Sequence, residues 1–431
     1  MALPQVQRPS YLIIGAGAFG APTALALKRA EPESEVTVVD RTPFPCPMAA
    51  GHDLNKIIRA DYIDLMYMKL ALKALELWRT DPLYSPHFHN IGYLYSYDED
   101  FLKEIIARWE QLLGKGNAQS FLLDPVEARK KFNGVFEDSD WSMVTQCLYS
   151  PTAGWADSAA ALQSVMQAAV DLGVRYVDNG AAKVLFGEHG NCTGAVTEDG
   201  RTLTADRTIL AAGAWIPLLL AESAPDVPEI HTGERLIAVG APMCAVKLSD
   251  EQLEKFKECP VNALLAPLAA ECIPPGDKGL LKCTYDTGFS NKVYHEKSRQ
   301  EMSLPPSKIS QSTWSQDIPQ TLKDNLKSVK NELFGGWVDD IEPESYRLCW
   351  DGFTLNQDWL ICPHPKADNL YVAGGGSFHG FKFLPVIGEL VVQMIKGELD
   401  EEMTKRWAWD GPREGAICPA YTPHKDLGDL S

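Results

Sequence analysis

The segment Tyr11–Asp40 constrains this chain more than any other. Tyr11-Leu12-Ile13-Ile14 is a short apolar, partly β-branched run that predicts a buried strand. Gly15-Ala16-Gly17-Ala18-Phe19-Gly20 follows at once and fits G-x-G-x-x-G. An apolar helical stretch through Ala24, Leu25 and Leu27 comes next, then Val36-Thr37-Val38-Val39 as a second strand. Asp40 closes the unit, about 20 residues after Gly20. Each part has a physical task. Gly15 permits a tight turn, Gly17 lets the backbone approach a pyrophosphate, and Gly20 lets helix and strand pack closely. The helix N-terminus offers free N–H groups to phosphate, and an acid at Asp40 meets a ribose hydroxyl. Pro22 falls in the first helical turns, where a missing N–H costs least. A lone glycine motif recurs by chance. The complete strand–glycine–helix–strand–acid unit predicts a dinucleotide site in a doubly wound α/β fold.

At 431 residues, the chain is long enough for two to three domains of ~100–200 residues. Two later segments return to the nucleotide-fold pattern. Arg207-Thr208-Ile209-Leu210 predicts a strand running into Ala211-Ala212-Gly213-Ala214-Trp215, after a hairpin-like stretch from Thr197 to Thr204. Leu370-Tyr371-Val372-Ala373 predicts another, followed by Gly374-Gly375-Gly376-Ser377-Phe378-His379-Gly380 and a helix from about Leu384 to Ile395. One nucleotide fold in three pieces implies an interleaved chain. We expect residues 1–80, 150–225 and 340–431 in the dinucleotide domain, and 81–149 and 226–339 in the second domain. The glycine unit alone does not separate FAD from NAD; its N-terminal place and the late returns favour FAD. Helical spacing marks Leu65–Trp78, Phe101–Leu113, Ala156–Leu172 and Ile318–Leu333. Arg235–Val246 and Gly279–Thr284 are expected strands, the second outside the nucleotide fold, and Ser303–Asp317 is an expected surface loop.

Forty basic residues against 58 acidic ones leave a net charge of −18, which repels phosphate backbones and anionic lipid heads. Neither a nucleic acid nor a membrane is an expected partner. The longest apolar run, Ile209–Ala221, is broken by Pro217 and falls far short of the ~18 residues that span a bilayer. Met1–Ser10 shows neither a basic start nor an apolar stretch, and Asp429-Leu430-Ser431 is no peroxisomal tail. The ten cysteines are scattered without close pairs, so we expect reduced, mostly buried thiols, no metal site and a cytoplasmic location.

Beyond the glycine motif, several segments stand in a specific order. They are Gly51-His52-Asp53-Leu54-Asn55-Lys56-Ile57-Ile58-Arg59, Gly279-Leu280-Leu281-Lys282, Tyr346-Arg347-Leu348-Cys349-Trp350-Asp351 and Trp359-Leu360-Ile361-Cys362-Pro363-His364-Pro365. His379-Gly380-Phe381-Lys382-Phe383-Leu384-Pro385 and Lys425-Asp426-Leu427 complete the set. Over nearly its whole length the chain resembles the fructosyl amino acid oxidases (amadoriases) and, more distantly, the monomeric sarcosine, pipecolate and saccharopine oxidases. The resemblance implies a Rossmann-type FAD domain interleaved with an α+β substrate domain carrying a mixed sheet, as in glutathione reductase and D-amino-acid oxidase. It implies a monomeric FAD-dependent oxidase that takes a hydride from the C–N carbon of a secondary amine, an N-substituted or cyclic amino acid. O2 then reoxidises the flavin to give hydrogen peroxide.

The resemblance also assigns residues. Cys349 matches the cysteine whose sulfur bonds the flavin 8α-methyl, and Lys282 the lysine that activates oxygen beside the ring, where a fixed cation stabilises superoxide. Arg59 and Lys382 match a pair that grips the substrate carboxylate. Lys56, His52 and His379 match positions close to the flavin. Ala18, Phe19, Arg41, Asn55, Gly213, Gly376, Gly380 and Phe381 complete the expected cofactor contacts, with Lys382 touching both ligands. An apolar pocket lined by tryptophans is expected to keep the amine neutral. No acid–base residue stands out, which suits direct hydride transfer. One departure bears on the substrate. Trp407-Ala408-Trp409 is followed by Asp410, where the sugar-oxidising branch has a carboxylate-holding arginine, and Arg413 is wrongly spaced to replace it. Two other readings remain open: a same-fold enzyme passing electrons to an acceptor other than oxygen, and a flavin-binding protein without catalysis.

Overall fold

A computed structural model describes residues 8–264, 269–307 and 313–430. Residues 308–312 of the expected loop Ser303–Asp317, and most of the N-terminal stretch Met1–Ser10, lie outside the described residues.

The first sheet has six strands in the order Leu360–Pro363, Leu370–Gly374, Arg207–Leu210, Tyr11–Ile14, Val36–Asp40 and Arg175–Asp178. All neighbours run parallel except the edge strand Leu360–Pro363, which is antiparallel to Leu370–Gly374. Burial on two faces explains the unbroken apolar run at the N-terminus. Tyr11 and Ile13 pack into the helical layer built from Gly20–Ala30, Ser158–Asp171 and Leu384–Lys396. Leu12 and Ile14 pack beneath a three-stranded antiparallel sheet, Ala181–Phe186, Cys192–Thr197 and Thr202–Thr204. The first and last helices approach closely because Gly388 lacks a side chain. A Cβ there would lie 2.1 Å from the Pro22 carbonyl oxygen.

The second sheet is larger and mixed. Its central strands run Ile237–Lys247, Leu280–Tyr285, Ala270–Ile273, Val261–Leu264 and Tyr93–Ser96, with only the last pair parallel. Alternation divides it into two faces. Cys244, Cys272, Cys283 and Leu281 enter one core beneath the helix Gln320–Phe334, while Tyr93, Tyr95, Val261, Ala263 and Ile273 enter the core on the opposite side. The strand Ser345–Phe353, assigned from sequence to the dinucleotide domain, belongs to this second sheet. It pairs with Ile237–Lys247 along its whole length, and its register places Cys349 opposite Ala241. All ten cysteines are free thiols, buried except for the half-buried Cys418. No helix among the described residues is long and apolar enough to cross a membrane.

Candidate functional site

The two sheets meet along a cleft that begins at the glycine turn. Gly15 has φ +103°, and a Cβ on it would sit 2.5 Å from the Ala211 carbonyl oxygen. A Cβ on Gly20 would sit 1.8 Å from the Gly15 carbonyl oxygen, so that glycine is what lets the helix start against the strand. At Gly17 nothing lies within 4 Å of where a Cβ would be, which leaves the backbone open to a ligand. Asp40 accepts the Ala16 N–H at 2.7 Å and its own neighbour's N–H at Arg41, also at 2.7 Å. It therefore braces the turn as well as lining the cleft. The Arg41 guanidinium lies 4.1 Å from the Trp215 ring centre, and burial lowers its pKa.

The cleft extends past Gly213 to Lys56 and Cys349. Ala18, Phe19, Gly376, Gly380 and Phe381 also line it. Gly20, His52, Asn55, His379, Lys282, Arg59 and Lys382 do not, and they stand behind or beyond its wall.

Behind Lys56 lies a buried charge cluster. The Asp53 carboxylate takes the Lys282 ammonium at 2.7 Å and the Lys56 ammonium at 2.8 Å, and Lys282 also donates to the Asn55 carbonyl at 2.8 Å. Lys56 Nζ is 4.0 Å from Cys349 Sγ. Burial alone would raise the Asp53 carboxyl, but Lys282, Lys56 and Arg347 outweigh it and hold the group far below the usual range. Burial lowers Lys282, and the attraction of Asp53 only partly offsets this. Lys56 stays above its ordinary value because Asp53 and the Cys349 sulfur outweigh burial. Arg347 is itself buried and donates to the carbonyls of Pro47, Ala49 and His52, fixing the loop that carries Asp53. His52 Nδ1 and Asn55 Oδ1 are buried atoms without hydrogen-bond partners among the described residues.

A second group forms where the two expected clamp residues converge. The Arg59 guanidinium lies 5.0 Å from the Tyr62 ring centre and 5.6 Å from that of Tyr93, and Lys382 Nζ lies 5.6 Å from the same Tyr62 ring. Arg59 donates to the Asp61 carbonyl, and Lys382 to the His379 carbonyl at 3.0 Å. Neither cation forms a salt bridge among the described residues. The obvious rivals are occupied elsewhere: the Asp61 carboxylate takes Trp109, Ser120 and Ser150, and Asp64 takes Arg406. Burial and Arg59 push Lys382 well below the ordinary lysine range. His379 falls to about 3, through burial and the nearby Lys382, and is neutral. Its ring bonds the Tyr62 hydroxyl at 3.2 Å and the Gln357 carbonyl at 2.8 Å. The aromatics around Arg59 are tyrosines, where tryptophans were expected.

Asp410 is exposed and engaged by Arg235 at 2.6 and 2.8 Å, and Arg413 donates to the Ala408 and Trp409 carbonyls. Asp410 does not line the cleft, whereas the arginine at that place in the sugar-oxidising branch is expected to hold a carboxylate. Sequence reading singled out neither Asp53 nor Arg347, nor the buried Asp286, nor the half-buried Asp351 and Glu271. Asp53 and Arg347 lay inside motif segments, but only the fold reveals their partners.

The cleft fits a flavin dinucleotide. Its glycine turn is open at Gly17, the N–H groups of Gly17, Ala18 and Phe19 meet no backbone partner among the described residues, and a thiol with a lysine beside it waits at the far end. Residues 10–394 match the family described as FAD dependent oxidoreductase (DAO). The chain belongs to this family, and it is an FAD-dependent oxidoreductase acting on CH–NH bonds. It is 31% identical to L-saccharopine oxidase of Schizosaccharomyces pombe over 421 residues, covering 93% of each chain. It is 22% identical to monomeric sarcosine oxidase of Bacillus sp., covering 91% of this chain and 94% of that one. The fold superposes on fructosyl peptide oxidase from E. terrenum with a TM-score of 0.84 at 27% identity, over 98% of this chain and 97% of the other.

Proposed function

We propose that the chain is an oxidase of carboxylate-bearing secondary amines, of the N-substituted amino acid class. One observation carries this reading. Arg59 and Lys382, 323 positions apart in sequence, converge on the Tyr62 ring, and neither is in a salt bridge with a carboxylate among the described residues. A half-buried and a buried cation, neither ion-paired, make a site for an anion that arrives with the substrate. Gripping the carboxylate there sets the adjacent C–N carbon in a fixed orientation toward the cleft. Tyr62, Tyr93 and Tyr95 exclude water around it.

When bound, FAD would supply the hydride acceptor and the two-electron route to O2 that yields hydrogen peroxide. Gly15, Gly17, Ala18 and Phe19 would hold its pyrophosphate, with Gly20 letting the helix start close to them, and Asp40 and Arg41 its adenosine end. Cys349 ties its ring through a thioether, with Lys56 beside that sulfur. Lys282, held by Asp53, provides the fixed positive charge for oxygen reduction. We further infer a monomer, and a place in the cytosol because none of the ten cysteines is in a disulfide, which suits a reducing compartment.

A second reading, oxidation of fructosyl amino acids, is favoured by the placement of Asp410 on the surface, clear of the clamp. Anaerobic addition of saccharopine, sarcosine, pipecolate and fructosyl amino acids, followed by flavin absorbance, separates the two. Bleaching by the first three supports the main reading, bleaching by fructosyl amino acids alone the second. No bleaching by any of them would overturn both.

A further inference from the structure

Lys282 and Glu271 share a face of the second sheet. Thr284 is the cross-strand partner of Glu271, and Ile273 that of Lys282, so Glu271 and Lys282 are diagonal neighbours on adjacent antiparallel strands. Their side is fixed by alternation. Cys272 and Cys283, one position along each strand, enter the opposite core, whereas Ala263 (opposite Glu271), Tyr95 and Ile273 pack on the clamp side. Glu271 therefore faces the space in which Arg59, Lys382 and the tyrosines converge.

The other acids here are satisfied. Asp53 holds two lysines, Asp61 an indole and two hydroxyls, Asp351 two backbone N–H groups, and Asp286 the Tyr421 hydroxyl. Glu271 is half-buried and its carboxyl has no hydrogen bond and no salt bridge among the described residues. The cations acting on it are Arg59, Lys282, Lys382 and Lys56, from three different parts of the fold. Burial nonetheless lifts its carboxyl above the ordinary range. The remaining titratable groups around it are Asp286 on the following strand, Tyr93, and Cys418 and Tyr421 of the C-terminal segment. Asp286 is raised by burial and by Glu271 itself, and both phenols lie far above the neutral range.

A secondary amine in water is an ammonium ion, and its C–H bond cannot release hydride while the nitrogen lone pair carries a proton. We infer that Glu271 is the proton acceptor for the substrate ammonium. The N–H bond breaks and an O–H bond forms on Glu271, leaving a neutral amine and a neutral carboxyl. The hydride then leaves the adjacent carbon as the nitrogen lone pair forms the C=N bond, and Glu271 later loses its proton to solvent. This rests on the amine-oxidase reading and adds a residue to it.

The test is the rate of anaerobic flavin reduction by a secondary amine between pH 6 and 10. Reduction of the wild-type flavin bears on the amine-oxidase reading, and the pH slope of the variant bears on Glu271 alone. In Glu271→Gln, with flavin content and circular dichroism unchanged, the rate at pH 7 falls about 10²-fold or more. It then recovers toward wild type as pH approaches the amine's own pKa, because neutral amine from solution needs no acceptor. Glu271→Asp keeps the carboxylate, so its rate falls while its pH profile retains the wild-type shape. A Gln variant that is slowed by one constant factor at every pH, or not slowed, overturns the assignment. So does an Asp variant that behaves like Gln.

Discussion

Replacing Asp53 by asparagine removes the one anion that a buried and a half-buried ammonium group share. In the wild type, the 2.7 and 2.8 Å contacts leave this carboxylate fully buried and ionised. Removing one member of a buried ion pair costs about 3–5 kcal/mol, because the charge left behind has neither water nor a partner. Here two ammonium groups are left facing each other. Lys282, already lowered by burial and by Lys56, is the one that gives up its proton. The expected loss of stability is a large share of the ~5–15 kcal/mol typical of a folded protein. With ~2.1 cal/mol/K of unfolding entropy per residue, a 431-residue chain unfolding as one unit would melt about 3–6 °C lower. The sign of the pH dependence follows from linkage. In the variant, the lysine pKa values lie below their unfolded value, so the unfolded chain binds more protons and the deficit shrinks as pH rises toward 10. In the wild type, the depressed Asp53 carboxyl contributes fully above its unfolded pKa of 3.8, and that contribution is lost only as pH falls through the much lower folded value. Thermal melts from pH 6.5 to 9.5, paired with stopped-flow reoxidation of the reduced enzyme, read both consequences. A variant that melts within a degree of wild type at every pH and reoxidises normally would refute the shared-counterion argument.

Lys282→Met is expected to slow reoxidation far more than reduction, and equal slowing of both half-reactions would remove its role with oxygen. Cys349→Ser is expected to leave a protein whose yellow colour passes into the supernatant on acid precipitation, whereas the wild-type colour stays in the pellet. In Arg59→Ala, one charge-assisted contact worth ~1.5–3 kcal/mol is lost, so binding of a carboxylate substrate should weaken about 10- to 150-fold, measured as the dissociation constant in anaerobic titration. A decarboxylated substrate analogue should not distinguish the variant from wild type. Gly20→Ala puts a methyl 1.8 Å from a backbone oxygen with no flexible side chain to yield. The variant should lose ~1–3 kcal/mol or more and purify with less flavin, as absorbance at the flavin band would show.

What the sequence revealed and what it hid divide along one physical line. The glycine turn is largely a local device: Gly15 sits at φ +103° and Gly20 is pressed by the Gly15 carbonyl five positions earlier, so their spacing can be read without the fold. The Ala211 carbonyl that also crowds Gly15 comes from far along the chain. The helix Leu65–Thr80 starts where its periodicity says it should, because Asp64 caps it by accepting the Tyr67 N–H at 3.1 Å. The place of Ser345–Phe353, within the stretch 340–431 expected in the dinucleotide domain, was hidden for the opposite reason. Nothing in its own residues says that its partner is Ile237–Lys247, a hundred positions earlier. Arg59 and Lys382 could be paired only through resemblance, since it takes the ring of Tyr62 to bring them together. Asp53 and Glu271 went unread because an acid is recognised by what it lacks or holds, and both properties belong to the tertiary structure. Asp53 has become a counterion because two lysines from distant segments reach it. Glu271 has no hydrogen bond or salt bridge among the described residues, although four cations act on it. A site that must bind an anion and also take a proton from a cation needs both kinds of acid, one neutralising its own lysines and one left free. The sequence lists carboxylates of both kinds alike, and only the register between Ala270–Ile273 and Leu280–Tyr285 tells them apart.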